Sequence, residues 1–314
     1  MWRLVAPAAL LLASCGAAPA DPSKEGPYRT ASADDMTVAS TTGDTLPVHV
    51  VYPTGGPEKG PYPIVVFGHG FQIPVSQYTG YLNRLATFGY VALTVDYPDP
   101  LMGPVNNVND GRDLAAGLDW ALGSALVGSL TDIARAGVMG HSRGGKAAVL
   151  AAVEDARFRA VYGVDPVDTP PPASISCDPV TECPTAYLSL PSLHLPTLFV
   201  GETLDGTGNF ACAPAAGNYA VFYDHANAPS IEVTVKGASH MSFVADPIAC
   251  GVVCQLCQTP AATQSAVLNL AYAYAVAFFE RTLRDNPAYD TYLTGAVARA
   301  RYVDAGVAAV ASKD

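Results

Sequence analysis

The chain has 314 residues, 50% hydrophobic and 14% charged, with a formal net charge of −11. That is enough apolar material for one large core in a domain of ordinary size. The acidity and the lack of basic clusters argue against a nucleic-acid-binding face and against adhesion to an anionic membrane through charge.

Residues 1–20 read as an export signal. Arg3 gives a short positive start, and residues 4–13 form an apolar stretch too short to span a bilayer. Leu12-Ala13-Ser14-Cys15 has the form of a bacterial lipobox, which makes Cys15 a lipidated N-terminus and attaches the protein to a membrane in the cell envelope. Ala18-Pro19-Ala20 offers instead a cleavage site that releases a secreted protein beginning at Asp21. The lipoprotein reading is preferred, because a cysteine directly after such a stretch has little other use. A short uncleaved anchor is the remaining alternative. Residues 21–36, continuing an Ala-, Pro- and Ser-rich composition, read as a flexible tether, and residues 37–314 as a single domain.

Within that domain, strand-like runs alternate with helical ones. Residues 47–52 and 64–67 are strand candidates, and residues 75–88 have a helical period with Tyr78, Leu82 and Leu85 on one face. A strand is predicted over 90–95, then a helix over 111–122 with Leu114, Leu118 and Leu122 four residues apart. Trp120, beside those leucines, reads as core rather than as a platform for substrate. A strand over 134–139 and a helix over 146–153 follow, then strands over 160–164, 197–200 and 231–235, and a long apolar helix over 261–283. The alternation predicts an α/β fold, a mostly parallel central sheet with helices on both faces. The Pro-rich residues 168–184, carrying two cysteines, read as an irregular loop over one end of the sheet.

Between the strand at 134–139 and the helix at 146–153 lies Gly140-His141-Ser142-Arg143-Gly144-Gly145. A G-x-S-x-G turn in that setting is the nucleophile elbow of the α/β-hydrolase fold, with Ser142 at the apex. The helix start presents free N–H groups and the positive end of the dipole to the serine oxygen. A serine needs a histidine base, an acid to orient it and an oxyanion hole, and in this fold the chain order is nucleophile, acid, histidine. Of the histidines after the elbow, His240 lies in a loop leaving a strand at the C-terminal edge of the sheet, whereas His194 and His225 read as solvated. Two aspartates compete for the acid. Asp165 ends the strand at 160–164 and Asp205 follows the strand at 197–200, and each is equally explicable as a turn cap. Asp168 and Glu202 are weaker candidates. The oxyanion donors are expected to be the backbone N–H groups of Arg143 and of Phe71, in Phe67-Gly68-His69-Gly70-Phe71. His69 reads as a local brace for that loop. The Arg143 side chain reads as paired with a carboxylate that holds the elbow, with contact to an acidic substrate as the alternative.

Setting Cys15 aside leaves Cys177, Cys183, Cys212, Cys250, Cys254 and Cys257. An even number in an exported chain predicts disulfides, without fixing the pairing. The C-x-x-x-C-x-x-C spacing of Cys250, Cys254 and Cys257 also matches an iron–sulfur site, but such clusters need a reducing compartment.

Several segments together resemble the chlorophyllase family: Gly-His-Ser-Arg-Gly-Gly at 140–145, Val-Asp-Pro-Val at 164–167, Cys-Ala-Pro-x-x-Gly-Asn at 212–218, His-Gly-Phe at 69–71 and Gly-x-x-His at 237–240. The resemblance covers roughly residues 45–285. It implies an α/β-hydrolase acting on carboxylic esters through a serine acyl-enzyme, with Asp165 as the acid. Platelet-activating-factor acetylhydrolases are similar in that placement. Bacterial cutinases and polyester hydrolases are also similar, but theirs follows the next strand, at the position of Asp205. The expectation is an exported serine esterase with Ser142, His240 and Asp165 or Asp205, a hydrophobic ester as substrate and no metal or organic cofactor. The alternatives are a cutinase-like polyester hydrolase or lipid esterase, and a surface lipoprotein that binds an ester without turning it over.

Overall fold

The computed structural model describes residues 18–39, 42–100, 105–168, 177–208, 211–250 and 253–314. Residues 1–17 of the stretch read as an export signal, Cys15 among them, lie outside the described residues, as do 101–104 and 169–176. Among the described residues, nine strands form one sheet in the order β1-β2-β4-β3-β5-β6-β7-β8-β9. They are β1 (Arg29–Ala39), β2 (Thr45–Gly55), β3 (Tyr62–Gly68), β4 (Val91–Val95), β5 (Thr131–His141), β6 (Phe158–Val164), β7 (Thr197–Glu202), β8 (Ser230–Val235) and β9 (Ala308–Lys313). The six strands from β4 to β8 in that order pair in parallel, and the pairings of β1, β2 and β9 are antiparallel. This is the α/β-hydrolase arrangement. Every residue of β3 and β4 is buried, as expected of strands covered on both faces, whereas β2 alternates.

The helices divide between the faces. α1 (Thr79–Thr87) and α5 (Gln264–Leu283) pack on one, with Leu82, Leu85, Tyr274 and Phe279 buried there. α2 (Asn107–Gly123), α3 (Arg143–Glu154) and α4 (Tyr219–His225) pack on the other, with Leu114, Leu118, Val149 and Phe222. Trp120 is half-buried against this second cluster.

Two expectations are corrected here. The residues read as a tether include most of β1, which begins at Arg29 and pairs along β2. The residues just before it are also bound to the body. Arg301 forks onto Asp21 at 2.8 and 2.9 Å, Arg84 donates to the Pro22 carbonyl at 2.8 Å, and the Gly26 and Tyr28 amides donate to Thr87 at 3.0 Å. Polar composition resembles a linker when its partners are distant in sequence. The single helix expected over 75–88 is a 3₁₀ turn, Val75–Tyr78, followed by α1. The edge strand β9 was not predicted either: its short run of alanines, Val310, Ser312 and Lys313 carries little strand preference, although Gly306 at φ 72° marks the turn before it.

Parallel register fixes where the site forms. Gly140 of β5 lies beside Gly163 of β6, Val164 beside Val200 of β7, and Glu202 beside Val235 of β8. The segments leaving these strands therefore emerge side by side at one edge, about 4.8 Å apart per strand. They carry Ser142, Asp165, Asp205 and His240.

Candidate active site

Ser142 sits between β5 and α3 with φ 57° and ψ −125°, a conformation costly for a residue with a side chain. Its neighbours make the turn possible. A Cβ on Gly140 would lie 2.2 Å from the Gly144 carbonyl oxygen, and one on Gly144 would lie 2.1 Å from that of Gly68. Substituting either glycine would force β5, α3 and the loop after β3 apart. The Ser142 amide donates to the Val164 carbonyl at 3.0 Å, and its carbonyl accepts from Val167 at 3.2 Å, so the elbow is tied to the segment bearing Asp165.

Ser142 Oγ lies 2.8 Å from His240 Nε2, and His240 Nδ1 lies 2.7 Å from Asp165 Oδ2. A carboxylate only accepts, so Nδ1 carries the proton and Nε2 is left bare to accept from the serine hydroxyl. All three residues are buried, Asp165 completely. Burial alone would push the His240 pKa down; the hydrogen bond and charge of Asp165, joined by the charges of Asp205 and Glu202, outweigh it and raise the value. Asp165 has a positive φ of 41° and donates its amide to the Val200 carbonyl.

Asp205 is just as buried, but its carboxylate faces backbone. Oδ2 accepts the His240 N–H at 2.7 Å and Oδ1 accepts the Gln258 N–H at 2.8 Å. The two candidate acids thus hold the same histidine at different atoms, Asp165 at the ring and Asp205 at the main chain. Glu202 is a third buried carboxylate here. Its Oε2 accepts the amides of Leu204 and Asp205, and burial, with the nearby charge of Asp165, pushes its pKa up to about 7. Asp168 lies apart in a 2.7 Å ion pair with Lys146.

A family model described as chlorophyllase matches residues 23–297. The chain belongs to the chlorophyllase family. Chlorophyllase type 0 of Chenopodium album is 28% identical over 252 residues, covering 73% of this chain and 70% of its own length. Chlorophyllase-1 of Arabidopsis thaliana is 29% identical over 224 residues, 66% of each chain. A bis(hydroxyethyl) terephthalate hydrolase of Streptomyces coelicolor is 31% identical over 213 residues, 66% of this chain and 59% of its own. The chain thus spans between about three-fifths and seven-tenths of the length of these relatives. As a chlorophyllase-family member it is a carboxylic ester hydrolase.

In this chlorophyllase-family fold, the two backbone donors expected for the oxyanion belong to Arg143, the residue after Ser142, and to Phe71, in the turn after β3. Arg143 opens α3, so its N–H has no acceptor within the helix. The Gly70 carbonyl accepts from His69 Nδ1 at 3.0 Å and from the Ile73 amide at 3.2 Å, and across the planar trans peptide this turns the Phe71 N–H the opposite way. His69 itself stacks on Tyr97, ring centroids 3.9 Å apart. His194 is exposed, and His225 is occupied with the Val221 carbonyl at 2.9 Å. The Arg143 guanidinium forks onto Asp110 of α2, both contacts at 2.9 Å, and also pairs with Asp99, whose carboxylate accepts the Gln72 N–H. Asp99 and Asp110 were missed by sequence reasoning, as was Tyr78, whose hydroxyl oxygen accepts from the Gly70 amide at 3.0 Å. Each is an ordinary residue in its own segment and gains its role only from partners far along the chain.

The six cysteines form Cys177–Cys183, Cys212–Cys257 and Cys250–Cys254. The iron–sulfur spacing is therefore coincidental: two of its cysteines pair with each other and the third with Cys212. The Cys212–Cys257 bridge joins the segment after Asp205 to the segment after His240.

Proposed function

We propose that this chain is an exported serine esterase that cleaves hydrophobic carboxylic esters through an acyl-enzyme. The observation that carries the reading is the hydrogen-bonded series Ser142 Oγ, His240, Asp165. In the first half, Ser142 Oγ attacks the ester carbonyl carbon while its proton passes to His240 Nε2. Asp165 stabilises the imidazolium without taking the proton. The carbonyl oxygen becomes an oxyanion held by the Arg143 and Phe71 N–H groups. The tetrahedral species collapses, the C–O bond to the alcohol breaks, and His240 returns the proton to the departing alkoxide. In the second half, water attacks the acyl-Ser142 ester and His240 takes its proton; collapse then breaks the bond between the acyl carbon and Ser142 Oγ, His240 returns the proton to Oγ, and the acid is released.

Relatives named as chlorophyllases and as a terephthalate-ester hydrolase support a bulky, apolar ester. The reading of residues 1–20 as an export signal supports a cell-envelope location, and in that location the ester bond rather than chlorophyll is what carries over from the plant relatives. The three disulfides support an oxidising location, and no helix among the described residues is long and apolar enough to cross a membrane. Attachment would then come through a lipidated Cys15.

A fluorophosphonate probe is expected to label the wild type and to leave Ser142→Ala unlabelled. The same variant is expected to lose turnover of p-nitrophenyl esters. Labelling or turnover that persists in the variant overturns the assignment. For the location, Cys15→Ser is expected to move the protein from the membrane fraction to the soluble fraction.

A further inference from the structure

His141 stands next to Ser142 in the chain, is completely buried, and takes no part in the reaction just described. Its Nε2 lies 3.1 Å from the His240 carbonyl oxygen and its Nδ1 lies 2.9 Å from the Tyr78 hydroxyl. The Tyr78 oxygen in turn lies 3.0 Å from the Gly70 amide nitrogen. The proton positions follow from chemistry. A carbonyl only accepts, so Nε2 carries the hydrogen. Burial holds the His141 pKa well below the ordinary histidine value, with the His240 charge adding to the effect, so the ring is neutral and Nδ1 is bare. Tyr78 must then donate to Nδ1, which leaves its oxygen to accept from Gly70. The result is a one-way series of donors: Gly70 N–H to Tyr78 O–H to His141, and His141 Nε2–H to the His240 carbonyl.

We propose that His141, as the neutral Nε2–H tautomer acting with Tyr78, is a positioning residue that couples the base-bearing segment to the oxyanion loop. The proposal rests on the serine-esterase reading. Three parts of the site meet at this ring: the strand that delivers Ser142, the backbone of His240, and the loop that carries Phe71. The rings of His141 and His240 also stack, centroids 4.6 Å apart, so the pair is held both edge-on and face-on. An imidazole suits this place because it presents a donor and an acceptor on opposite sides of one rigid ring. Asn and Gln carry both on one end, and Phe carries neither. The coupling is specific in direction, since reversing any one link would set two donors or two acceptors against each other.

The test uses the full mature chain and three variants. His141→Phe keeps the stacked ring and removes both hydrogen bonds, Tyr78→Phe removes only the hydroxyl, and the third combines them. Each single variant is expected to lower kcat on a soluble p-nitrophenyl ester about 10- to 100-fold, as misplacement of reacting groups does, with KM within about twofold of wild type. Since both act through one series, the combined loss is expected to match the larger single loss rather than the product. Tyr78→Phe, a single-atom change, serves if His141→Phe does not fold. In nitrogen-15 spectra of the wild type, the His141 ring is expected to be protonated at Nε2 and bare at Nδ1. Unchanged kcat in Tyr78→Phe, multiplicative losses, or the opposite tautomer overturns the proposal. Ser142→Ala separates the two levels: turnover surviving in that control overturns the esterase reading, whatever the His141 variants do.

Discussion

Asp205 Oδ2 accepts the backbone N–H of His240 at 2.7 Å, while Asp165 Oδ2 meets the ring Nδ1 of the same residue at 2.7 Å. A histidine gripped at both main chain and imidazole has little freedom to leave Ser142, and the two grips fail differently when removed. Asp165→Asn is expected to lower kcat by about 10³- to 10⁴-fold with the protein still folded, because it favours the wrong tautomer. Asp205→Asn sets an amide group against two backbone donors. Its cost is expected mainly in stability, about 1–3 kcal/mol, with a smaller loss of kcat. Ester kinetics and urea denaturation on the same preparations check both.

The raised pKa of His240 sets the sign of the pH dependence. The base must be neutral to accept the Ser142 proton, and a raised pKa keeps it protonated to higher pH. The acid limb of kcat/KM is therefore expected above the ordinary histidine value of 6.5. Asp165→Asn removes the main raising influence, so any residual activity should show that limb moved to lower pH. A limb unmoved in that variant would contradict the pairing.

Glu202 predicts a stability effect distinct from the catalytic one. Its pKa is about 7 in the folded protein against 4.5 in the unfolded chain, so the folded state binds this proton more tightly. The associated stability is fully present below pH 4.5 and is lost as pH rises through about 7. Glu202→Gln retains an acceptor for the Leu204 and Asp205 amides and never ionises. It is expected to raise stability at pH 8 by on the order of 2 kcal/mol and to have little effect near pH 4.5, as thermal melts at the two pH values would show.

The Cys212–Cys257 bridge closes a sequence separation of 45 residues around the His240 segment. Replacing both cysteines by serine is expected to cost about 2–4 kcal/mol. Because Gln258, beside the bridge, donates to Asp205, the loss should also loosen His240 and lower kcat. Comparing the double variant with reductant-treated wild type, by melting temperature and by ester turnover, tests this.

Arg143→Lys keeps the charge and loses the fork onto Asp110 together with the separate contact to Asp99. Those carboxylates are enclosed around the elbow, and breaking a buried pair of this kind costs about 3–5 kcal/mol when the charge is removed altogether. Arg143→Met is therefore expected to be severely destabilised. Arg143→Lys should fold with reduced stability and a reduced kcat, since Asp99 also holds the Gln72 amide beside Phe71. Denaturant titration alongside kinetics distinguishes the two losses.

The sequence by itself determined most of the local structure. Apolar runs set β3 to β8, the periodicity of leucines set α2, and the small residues around Ser142 announced the elbow, since only glycine tolerates those backbone contacts. Chain order and strand ends marked His240, because the register of a parallel sheet follows from its topology. Both Asp165 and Asp205 satisfied the same rule, being carboxylates just beyond adjacent strands, and a linear pattern has no means of telling ring from backbone. Only the tertiary structure decided which carboxylate meets the imidazole, which cysteines pair, and that the residues read as a tether hold a strand. It alone brought Tyr78 to His141, 63 positions apart, and joined Arg143 to Asp99 and Asp110. These are contacts between segments whose separation in sequence carries no physical cost once the sheet has placed them side by side.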